Sequence, residues 1–513
     1  MMNMLNKSKR TSVIVLIIAF LPVWGASISG QESRFSNNTT GLTGSQKQAI
    51  EEYIDVQMKT GKIPGMAVVI VKGDQTVYLR GFGYANLKTK QMVTPQTLFE
   101  LGSTSKAFTA LGILLLEKKG LLNMNDPVNK YLPWFKVKYK GKDVPITLQQ
   151  LLHHTGGIPF ETIGDIPVSE DDNALEETVK VLVGIELHHP PGERFLYATI
   201  NYDVLGLVIS IITGESFEAY MRNGILEPLG LNQTFLFRAE AAKYGMAVGY
   251  KIAFKKPHEY DAPVYRGNTP AGYFITNAKD VAKWLKIQLG TVELKEFDQS
   301  LVEKSHISNP YLKDSIYAKG WELRVQKGFI CHGGANPNFS SHFLFDPQEK
   351  IGVGILSNIK SNLTDATAWG IHALIKGIPG KKLPAFDFNI KYDNISLTVL
   401  YITVPLILAG ICLMLLFIIR FGKNKRRFMA KGGKGIVYLL LSTLFMIVIG
   451  YVLYNISAFL YTFLPWSFVK VWMPVSFVYA VVSIFTAFLL FYLYFLALFF
   501  FSKGTASAHL DKK

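Results

Sequence analysis

Cysteine is almost absent from this chain of 513 residues. The sequence contains two, Cys331 and Cys412, and the second lies inside a long apolar run, where the first can hardly reach it. This excludes the disulfide framework that supports many small secreted proteins. The fold must therefore rest on a hydrophobic core, and residues 45–376 are numerous enough to form one.

Charged residues are missing from three segments near the C-terminus. Residues 396–419, 436–460 and 474–501 contain no Asp, Glu, Lys or Arg. Each segment is long enough to cross a bilayer as a helix. We therefore predict three transmembrane helices and contact with membrane lipid.

Acidic residues are missing from the loop between the first two of these segments. Residues 420–435 contain seven Lys or Arg side chains and no Asp or Glu. The positive-inside rule predicts that this basic loop is cytoplasmic. The protein is then a multi-pass protein of the cell membrane, with residues 45–376 outside the cytoplasm and the C-terminus inside it.

The N-terminus supports export of the region that follows. Residues 1–30 have the charged, apolar and small-residue order of a secretory signal peptide, with an uncleaved anchor as the alternative. The polar residues 31–44 indicate a disordered lead. Residues 377–395 are interpreted as a linker to the first membrane span.

The net charge of +16 gives no support to a nucleic-acid partner. Residues 1–30 and the segment from Tyr392 onward hold 14 of the 54 basic residues and two of the 38 acidic ones. The region between them is left with 40 basic and 36 acidic residues. The basicity therefore reflects membrane topology.

Hydrophobic periodicity predicts an α+β domain. Strands are predicted at residues 66–71 and 76–82, and again at 320–326, 329–332, 341–346 and 351–357. Helices are predicted at residues 47–60, 148–153, 201–213, 277–289 and 364–375. Strands at both ends with helices between them indicate one antiparallel sheet flanked by helices, with a helical subdomain inserted.

A candidate nucleophile lies at the start of another predicted helix, which opens near Ser103 and ends at Gly120. Lys106 follows Ser103 by three residues and therefore shares its helix face. The ammonium group of a lysine in this place can hold a hydroxyl and help to remove its proton. A Ser and a Lys at this spacing also arise by chance, and a Ser at a helix start is usually only a cap.

Three further motifs follow in order. Residues 151–159 are LLHHTGGIP, residues 197–206 are YATINYDVLG, and residues 332–334 are HGG. Together with Ser103-Thr104-Ser105-Lys106 they resemble the serine β-lactamase and penicillin-binding-protein superfamily, in its class C β-lactamase, DD-peptidase and esterase branch. With the three spans added, the chain is most similar to the FmtA-like membrane serine hydrolases. The resemblance covers about residues 45–376 and implies a β-lactamase/transpeptidase-like fold.

The resemblance also implies roles for individual residues. Ser103 would be the acylated nucleophile, Lys106 its partner, and Tyr197 the proton shuttle, whose pKa we expect Lys106 to lower. His332 would bind a substrate carboxylate or assist the tyrosine, and Gly334 would let a ligand approach the backbone. The oxyanion hole would be the N–H groups of Ser103 and Ala335.

Thr199 departs from the family pattern, which usually has Asn at this position. An amide both donates and accepts hydrogen bonds, whereas a threonine offers one short hydroxyl. Tight recognition of β-lactams or peptide amides is therefore put in doubt, and an ester substrate or a weakened enzyme is favoured.

The sequence thus supports two hypotheses. One is a membrane-anchored serine hydrolase that acts on cell-envelope D-alanyl amides or esters, or on β-lactam-like or other ester substrates. The other is a catalytically weak penicillin-binding or sensor module at the membrane. No cofactor is expected, and the paired histidines His153-His154 and His188-His189 do not have the spacing of a metal site. His154 is expected to hold its loop.

Overall fold

The structure is a computed structural model that describes residues 41–312, 315–324, 328–378, 386–423, 426–456 and 464–503. The predicted signal peptide and most of the predicted disordered lead lie outside the described residues. Within these ranges the chain forms a globular α+β domain, followed by long apolar helices.

The elements are numbered in chain order. The helices are α1 Gly44–Gly61, α2 Lys106–Lys118, α3 Leu148–Leu152, α4 Ala174–Lys180, α5 Asn201–Thr213, α6 Phe217–Met221, α7 Arg238–Ala242, α8 Thr269–Gly272, α9 Ala278–Gln288, α10 Gln299–Ser305, α11 Leu363–Ile375, α12 Phe388–Gly422, α13 Gly432–Tyr454, α14 Trp466–Trp472 and α15 Val475–Phe500. The strands are β1 Gly65–Lys72, β2 Gln75–Asn86, β3 Gln91–Met92, β4 Leu98–Glu100, β5 Val137–Tyr139, β6 Lys142–Val144, β7 Tyr250–Ala253, β8 Lys256–Glu259, β9 Ile275–Asn277, β10 Glu322–Arg324, β11 Phe329–Asn336, β12 Phe339–Asp346, β13 Ile351–Ser357, β14 Arg426–Phe428 and β15 Phe501–Lys503.

The predicted antiparallel sheet is confirmed. Its strand order is β10-β11-β12-β13-β1-β2-β3, so strands from the two ends of the domain meet where β13 pairs with β1. In that pairing Met66 lies opposite Ser357, and Lys72 lies opposite Ile351. The helices between β3 and β10 form the inserted subdomain.

The side chains of β1 alternate between two cores. Ala67, Val69 and Val71 belong to the core shared with the helical subdomain. Met66, Val68 and Ile70 face the opposite side, where α1 and α11 cover the sheet. Because both faces are buried, β1 is a continuous apolar run rather than an alternating one.

Two helix ends show how caps are formed in this domain. The residue with a left-handed backbone after α1 is Lys62, at φ 53°, whose N–H donates to Met58 O. At the start of α9 the Asn277 side chain accepts from the Asp280 N–H at 3.0 Å. The Asp280 carboxylate accepts hydrogen bonds from Gln233 and Thr234, 2.8 and 2.9 Å away, so it makes a tertiary contact.

Three helices in the described residues, α12, α13 and α15, are long and apolar enough to cross a membrane. The bent pair Asn201–Thr213 and Phe217–Leu226 passes the same test together, but its helices contribute to the domain core. The predicted linker at 377–395 lies partly outside the described residues, and α12 begins within it at Phe388, where the Asp387 side chain accepts from the Ile390 N–H.

Candidate active site

Ser103 lies in a single 3₁₀ turn, Gly102–Ser105, and α2 begins directly after it at Lys106. The helix therefore starts slightly later than the sequence predicts. The spacing still brings the two side chains together, since Lys106 Nζ donates to Ser103 Oγ at 3.1 Å.

Two glycines allow this turn to lie directly against β11. Gly102 has φ 59°, and a Cβ added there would overlap the amide nitrogen of Ala335. A Cβ added at Gly334 would overlap the carbonyl oxygen of Leu101. The glycine at 334 is thus required by a backbone contact within the protein, whereas the sequence suggested an approach by ligand.

The Lys106 side chain is completely buried. Besides Ser103 Oγ, its ammonium nitrogen donates to Thr199 Oγ1 at 3.0 Å and to the Ala271 carbonyl at 2.8 Å. Burial lowers the pKa of Lys106 to about 7, although the nearby Asp203 opposes this shift. A fraction of Lys106 is therefore a neutral amine near neutral pH.

Tyr197 reaches the same oxygen from a loop before α5. Its hydroxyl donates to Ser103 Oγ at 3.0 Å, although the residues are 94 positions apart in the chain. Burial raises the pKa of Tyr197, and the hydrogen bond to Ser103 opposes this only in part. The expectation that Lys106 lowers this pKa is therefore wrong, and Tyr197 is a protonated donor in the resting site.

His332 lies in β11 but is turned into the protein, with 3% of its surface exposed. Its Nδ1 lies 2.7 Å from the Gly333 carbonyl oxygen, which can only accept, so Nδ1 carries the proton. Its Nε2 then accepts from Tyr317 OH at 2.9 Å. Burial lowers the pKa of His332 to about 3. Both ring nitrogens of this neutral imidazole are engaged in hydrogen bonds within the protein, so neither is free here to bind the substrate carboxylate that the family resemblance implied.

Thr199 is also turned toward the lysine, and 6% of its surface is exposed. The hydroxyl therefore substitutes for one property of the family asparagine, an acceptor for Lys106. It offers no amide donor for a substrate. Thr199 therefore lies at the site beside Ser103 and Lys106, and its hydroxyl contacts Lys106 in the described structure.

His154 holds the loop that carries Tyr197. It is buried at φ 53°, and its Nδ1 accepts from Asn201 Nδ2 at 3.0 Å. Its carbonyl oxygen accepts from the Leu196 N–H at 2.8 Å, and its ring lies 4.2 Å from the Tyr197 ring.

Sequence reasoning missed Tyr317 and Asp203. Tyr317 is buried between Tyr197 and His332 and has no motif around it that signals this place. Asp203 is buried beside the lysine, and Asn268 Nδ2 donates to it at 2.6 Å. Asp203 was within the tyrosine motif, but only the fold brings it near Lys106.

Metal ligands do not gather at this site. In the part of the chain that the structure describes, no group of three or more His, Cys, Asp or Glu side chains is arranged to hold a metal ion. The groups that converge on Ser103 Oγ are an amine and a phenol, which suit proton transfer to and from a hydroxyl nucleophile.

Comparison with known proteins decides the family. The family model described as Beta-lactamase matches residues 50–376, which include all four motifs. The chain belongs to the beta-lactamase family. Membership supports a general serine hydrolase or acyl-transferase kind of activity.

Two bacterial relatives of this family extend the match. Protein flp of Staphylococcus aureus (strain N315) is 31% identical over 445 residues, which cover 85% of this chain and 88% of that protein. PbpX of Bacillus subtilis (strain 168), whose name assigns it provisionally to the penicillin-binding proteins, is 28% identical over 68% of this chain and 89% of its own length.

A solved structure of the same fold is similar to the globular domain. It is the octameric penicillin-binding protein homologue from Pyrococcus abyssi, which matches with a TM-score of 0.58 and 29% identity over 68% of this chain and 81% of that one. The family and fold predicted from the motifs are thereby confirmed.

Proposed function

We propose that this protein is a membrane-anchored serine hydrolase that forms an acyl-enzyme on Ser103. The observation that carries the proposal is the convergence of Lys106 Nζ and Tyr197 OH on Ser103 Oγ, at 3.1 and 3.0 Å. Proposed substrates are cell-envelope D-alanyl amides or esters, β-lactam-like compounds or related small esters.

Lys106 is the proposed general base. Because the Tyr197 hydroxyl donates to Ser103 Oγ, the hydrogen of Ser103 itself is left for another acceptor. At the 3.1 Å contact the ammonium form of Lys106 donates to Ser103 Oγ, whereas its neutral amine accepts there and keeps its own N–H groups directed to Thr199 and Ala271. As Oγ attacks the substrate carbonyl carbon, its proton moves to Lys106.

The tetrahedral intermediate would be stabilised by backbone donors. The proposed N–H groups are those of Ser103 and Ala335, supported by the direct contact of their two segments at Gly102. When the intermediate collapses, the carbonyl carbon loses its bond to the leaving nitrogen or oxygen, which takes a proton from Tyr197. Lys106 re-protonates Tyr197, and water then hydrolyses the Ser103 ester.

Membrane anchoring and orientation are part of the proposal. Lys251 Nζ donates to the Lys470 carbonyl at 2.6 Å, which links the globular domain to the segment between α13 and α15. The described basic residues between α12 and α13, which include Arg426, Arg427 and Lys431, lie at the other end of these helices. With that end in the cytoplasm, the domain would be extracytoplasmic.

Covalent labelling tests the hydrolase. A fluorophosphonate or a fluorescent penicillin should label the full-length wild type in detergent, and Ser103→Ala should abolish labelling. Ser45→Ala, at an exposed serine, is the matched control and should label as the wild type does. Equal labelling of Ser103→Ala and wild type would refute the proposed nucleophile.

A weak penicillin-binding or sensor module is the second candidate, because Thr199 lacks the amide of the family asparagine. Labelling at Ser103 without turnover of a p-nitrophenyl ester, a chromogenic β-lactam or a D-Ala-D-Ala peptide would favour it. Turnover of any of these substrates would favour the hydrolase.

A further inference from the structure

The hairpin formed by β7 and β8 has an unusual tip. Its two turn residues, Phe254 and Lys255, both have left-handed backbones, at φ 50° and 65°. Two-residue hairpin turns of this type favour Asn and Gly, since a bulky side chain is strained at positive φ. A phenylalanine at such a position is therefore held there by other contacts.

Those contacts come from the membrane helices. Asp393, on the second turn of α12, accepts hydrogen bonds from the N–H groups of Phe254 at 3.0 Å and Lys255 at 2.7 Å. The same carboxylate accepts from Ser476, at the start of α15, at 2.5 Å. Asp393 is 1% exposed. One buried carboxylate thus joins the hairpin tip to two of the proposed spans.

These three hydrogen bonds to Asp393, here called the Asp393 clamp, fix the position of the hairpin tip relative to α12 and α15. The Phe254 ring lies 6.1 Å from the ring of Tyr479, which is four residues into α15. At a rise of about 1.5 Å per residue, Tyr479 lies roughly 6 Å along the axis of α15 from its first residue. Both rings are exposed in the structure, 46% for Phe254 and 57% for Tyr479. An aromatic ring at the end of a span is typical of a membrane–water interface.

The charges around the tip suit the same environment. Lys255 and Lys256 are exposed beside Phe254, and Lys391 and Lys470 are exposed on neighbouring segments. The acidic residue at the tip, Asp393, is buried and occupied by its three donors. An apolar ring next to exposed lysines is the combination by which peripheral segments bind anionic lipid surfaces.

We propose that the tip of the β7–β8 hairpin inserts into the bilayer surface on the side of the globular domain. The Phe254 ring would lie at the boundary between headgroups and acyl chains, and Lys255 and Lys256 would contact anionic headgroups. The inference rests on the proposed membrane anchoring but does not depend on the chemistry of Ser103. The hairpin would give the domain a lipid contact besides its spans and so limit its tilt above the membrane.

Fluorescence quenching in vesicles tests the insertion. The full-length protein with Cys412→Ala would carry an NBD label at Phe254→Cys, a substitution that keeps both backbone hydrogen bonds to Asp393. Cys331 is 1% exposed and so not labelled. Asp74→Cys is the matched control, because Asp74 is exposed in the β1–β2 turn, at the end of β1 opposite Gly65, and β7 lies near Gly65. The vesicles contain phosphatidylglycerol, phosphatidylcholine and a lipid with a shallow nitroxide.

A second sample tests the membrane anchoring. In the protein without other substitutions, NBD is attached to the native Cys412, and its quenching by a nitroxide deep in the acyl chains is measured. We expect quenching at 412 by the deep probe, quenching at 254 by the shallow probe, and little at 74. Asp393→Ala should lower quenching at 254 toward the value at 74. Quenching at 412 with equal values at 254 and 74 would overturn the hairpin insertion alone. No quenching at 412 would overturn the anchoring and the insertion with it.

A separate variant tests the proposed contact of Lys255 and Lys256 with anionic headgroups. Replacing both Lys255 and Lys256 with Gln, in the Phe254→Cys protein, should reduce quenching at 254 in phosphatidylglycerol vesicles more than in phosphatidylcholine vesicles. Equal loss in both vesicles, or none, would overturn the contact with anionic headgroups.

Discussion

Lys106 combines full burial with three hydrogen-bond acceptors, and this combination controls the acid–base chemistry proposed at Ser103. The acceptors stabilise the ammonium form, whereas burial disfavours it and lowers the pKa to about 7. The result is a lysine that can accept a proton near neutral pH.

The first prediction concerns pH. Below about 7 Lys106 is an ammonium and cannot accept the Ser103 proton, so the rate of fluorophosphonate labelling should rise through that pH and then level off. His332 cannot cause this rising limb of the pH–rate profile, because its pKa is about 3. Lys106→Arg, which stays charged, should lose activity at every pH. A rate independent of pH in the wild type would contradict this role of Lys106.

The second prediction concerns Thr199. Thr199→Val removes one of the three acceptors of the Lys106 ammonium at nearly constant volume, so the pKa of Lys106 should fall further and the limb should shift to lower pH. Thr199→Asn restores an amide and should raise activity on amide substrates. The same pH profile and amide assay measure both changes. An unmoved limb in the valine variant would show that the hydroxyl does not tune Lys106.

At the scale of elements, the site is a contact between the 3₁₀ turn of Ser103 and strand β11. Besides the two glycines, Ser341 on β12 donates to the Leu101 carbonyl at 2.5 Å, and the hydroxyls of Ser341 and Thr104 are hydrogen-bonded at 2.9 Å. These bonds hold the turn against the sheet, and the positions of Ser103 and Ala335 depend on them.

The third prediction compares neighbouring glycines of β11. Gly334→Ala places a methyl group on the Leu101 carbonyl and should cost about 1–3 kcal/mol of unfolding free energy, with loss of Ser103 labelling. Gly333→Ala is the matched control, since its Cβ would meet only His342 Nδ1, at an ordinary 3.4 Å. Thermal unfolding and labelling measure both. Similar losses in the two variants would contradict the proposed contact.

At the scale of the whole molecule, the globular domain is tied to the apolar helices at several points. Lys360 Nζ donates to the Trp472 carbonyl at 3.4 Å, and Ser361 donates to Asp387 at 2.6 Å just before α12. Together with the hydrogen bonds to Asp393, these bonds join the globular domain to the start of the first proposed span and to the segment before α15.

The fourth prediction concerns topology. In intact cells that express the Cys412→Ala protein, a membrane-impermeant maleimide should label Asp74→Cys, because the domain is proposed to be extracytoplasmic. Lys434→Cys, in the basic loop, should be labelled only after the membrane is disrupted. The reverse pattern would contradict the proposed orientation while leaving the site geometry untouched.

Features that depend on neighbouring residues were determined by the sequence itself. Long uncharged runs predict the apolar helices, and α5 spans Asn201–Thr213 as its hydrophobic pattern predicts. Ser103 and Lys106 are brought together by one turn of chain, and the strands at the two ends of the domain predict its sheet. The helices, the strands and the Ser103–Lys106 pair follow from backbone geometry over a few residues. The sheet follows from the order of the elements along the chain, since strands with one buried face must pack together.

Only the tertiary structure decided the features that depend on burial and on distant segments. The pKa of Lys106, the raised pKa of Tyr197 and the inward turn of His332 arise because segments far apart in the chain exclude water from them. Tyr317 and Asp393 acquire their partners in the same way. Desolvation and long-range hydrogen bonds are properties of the packed chain, and no local pattern encodes them.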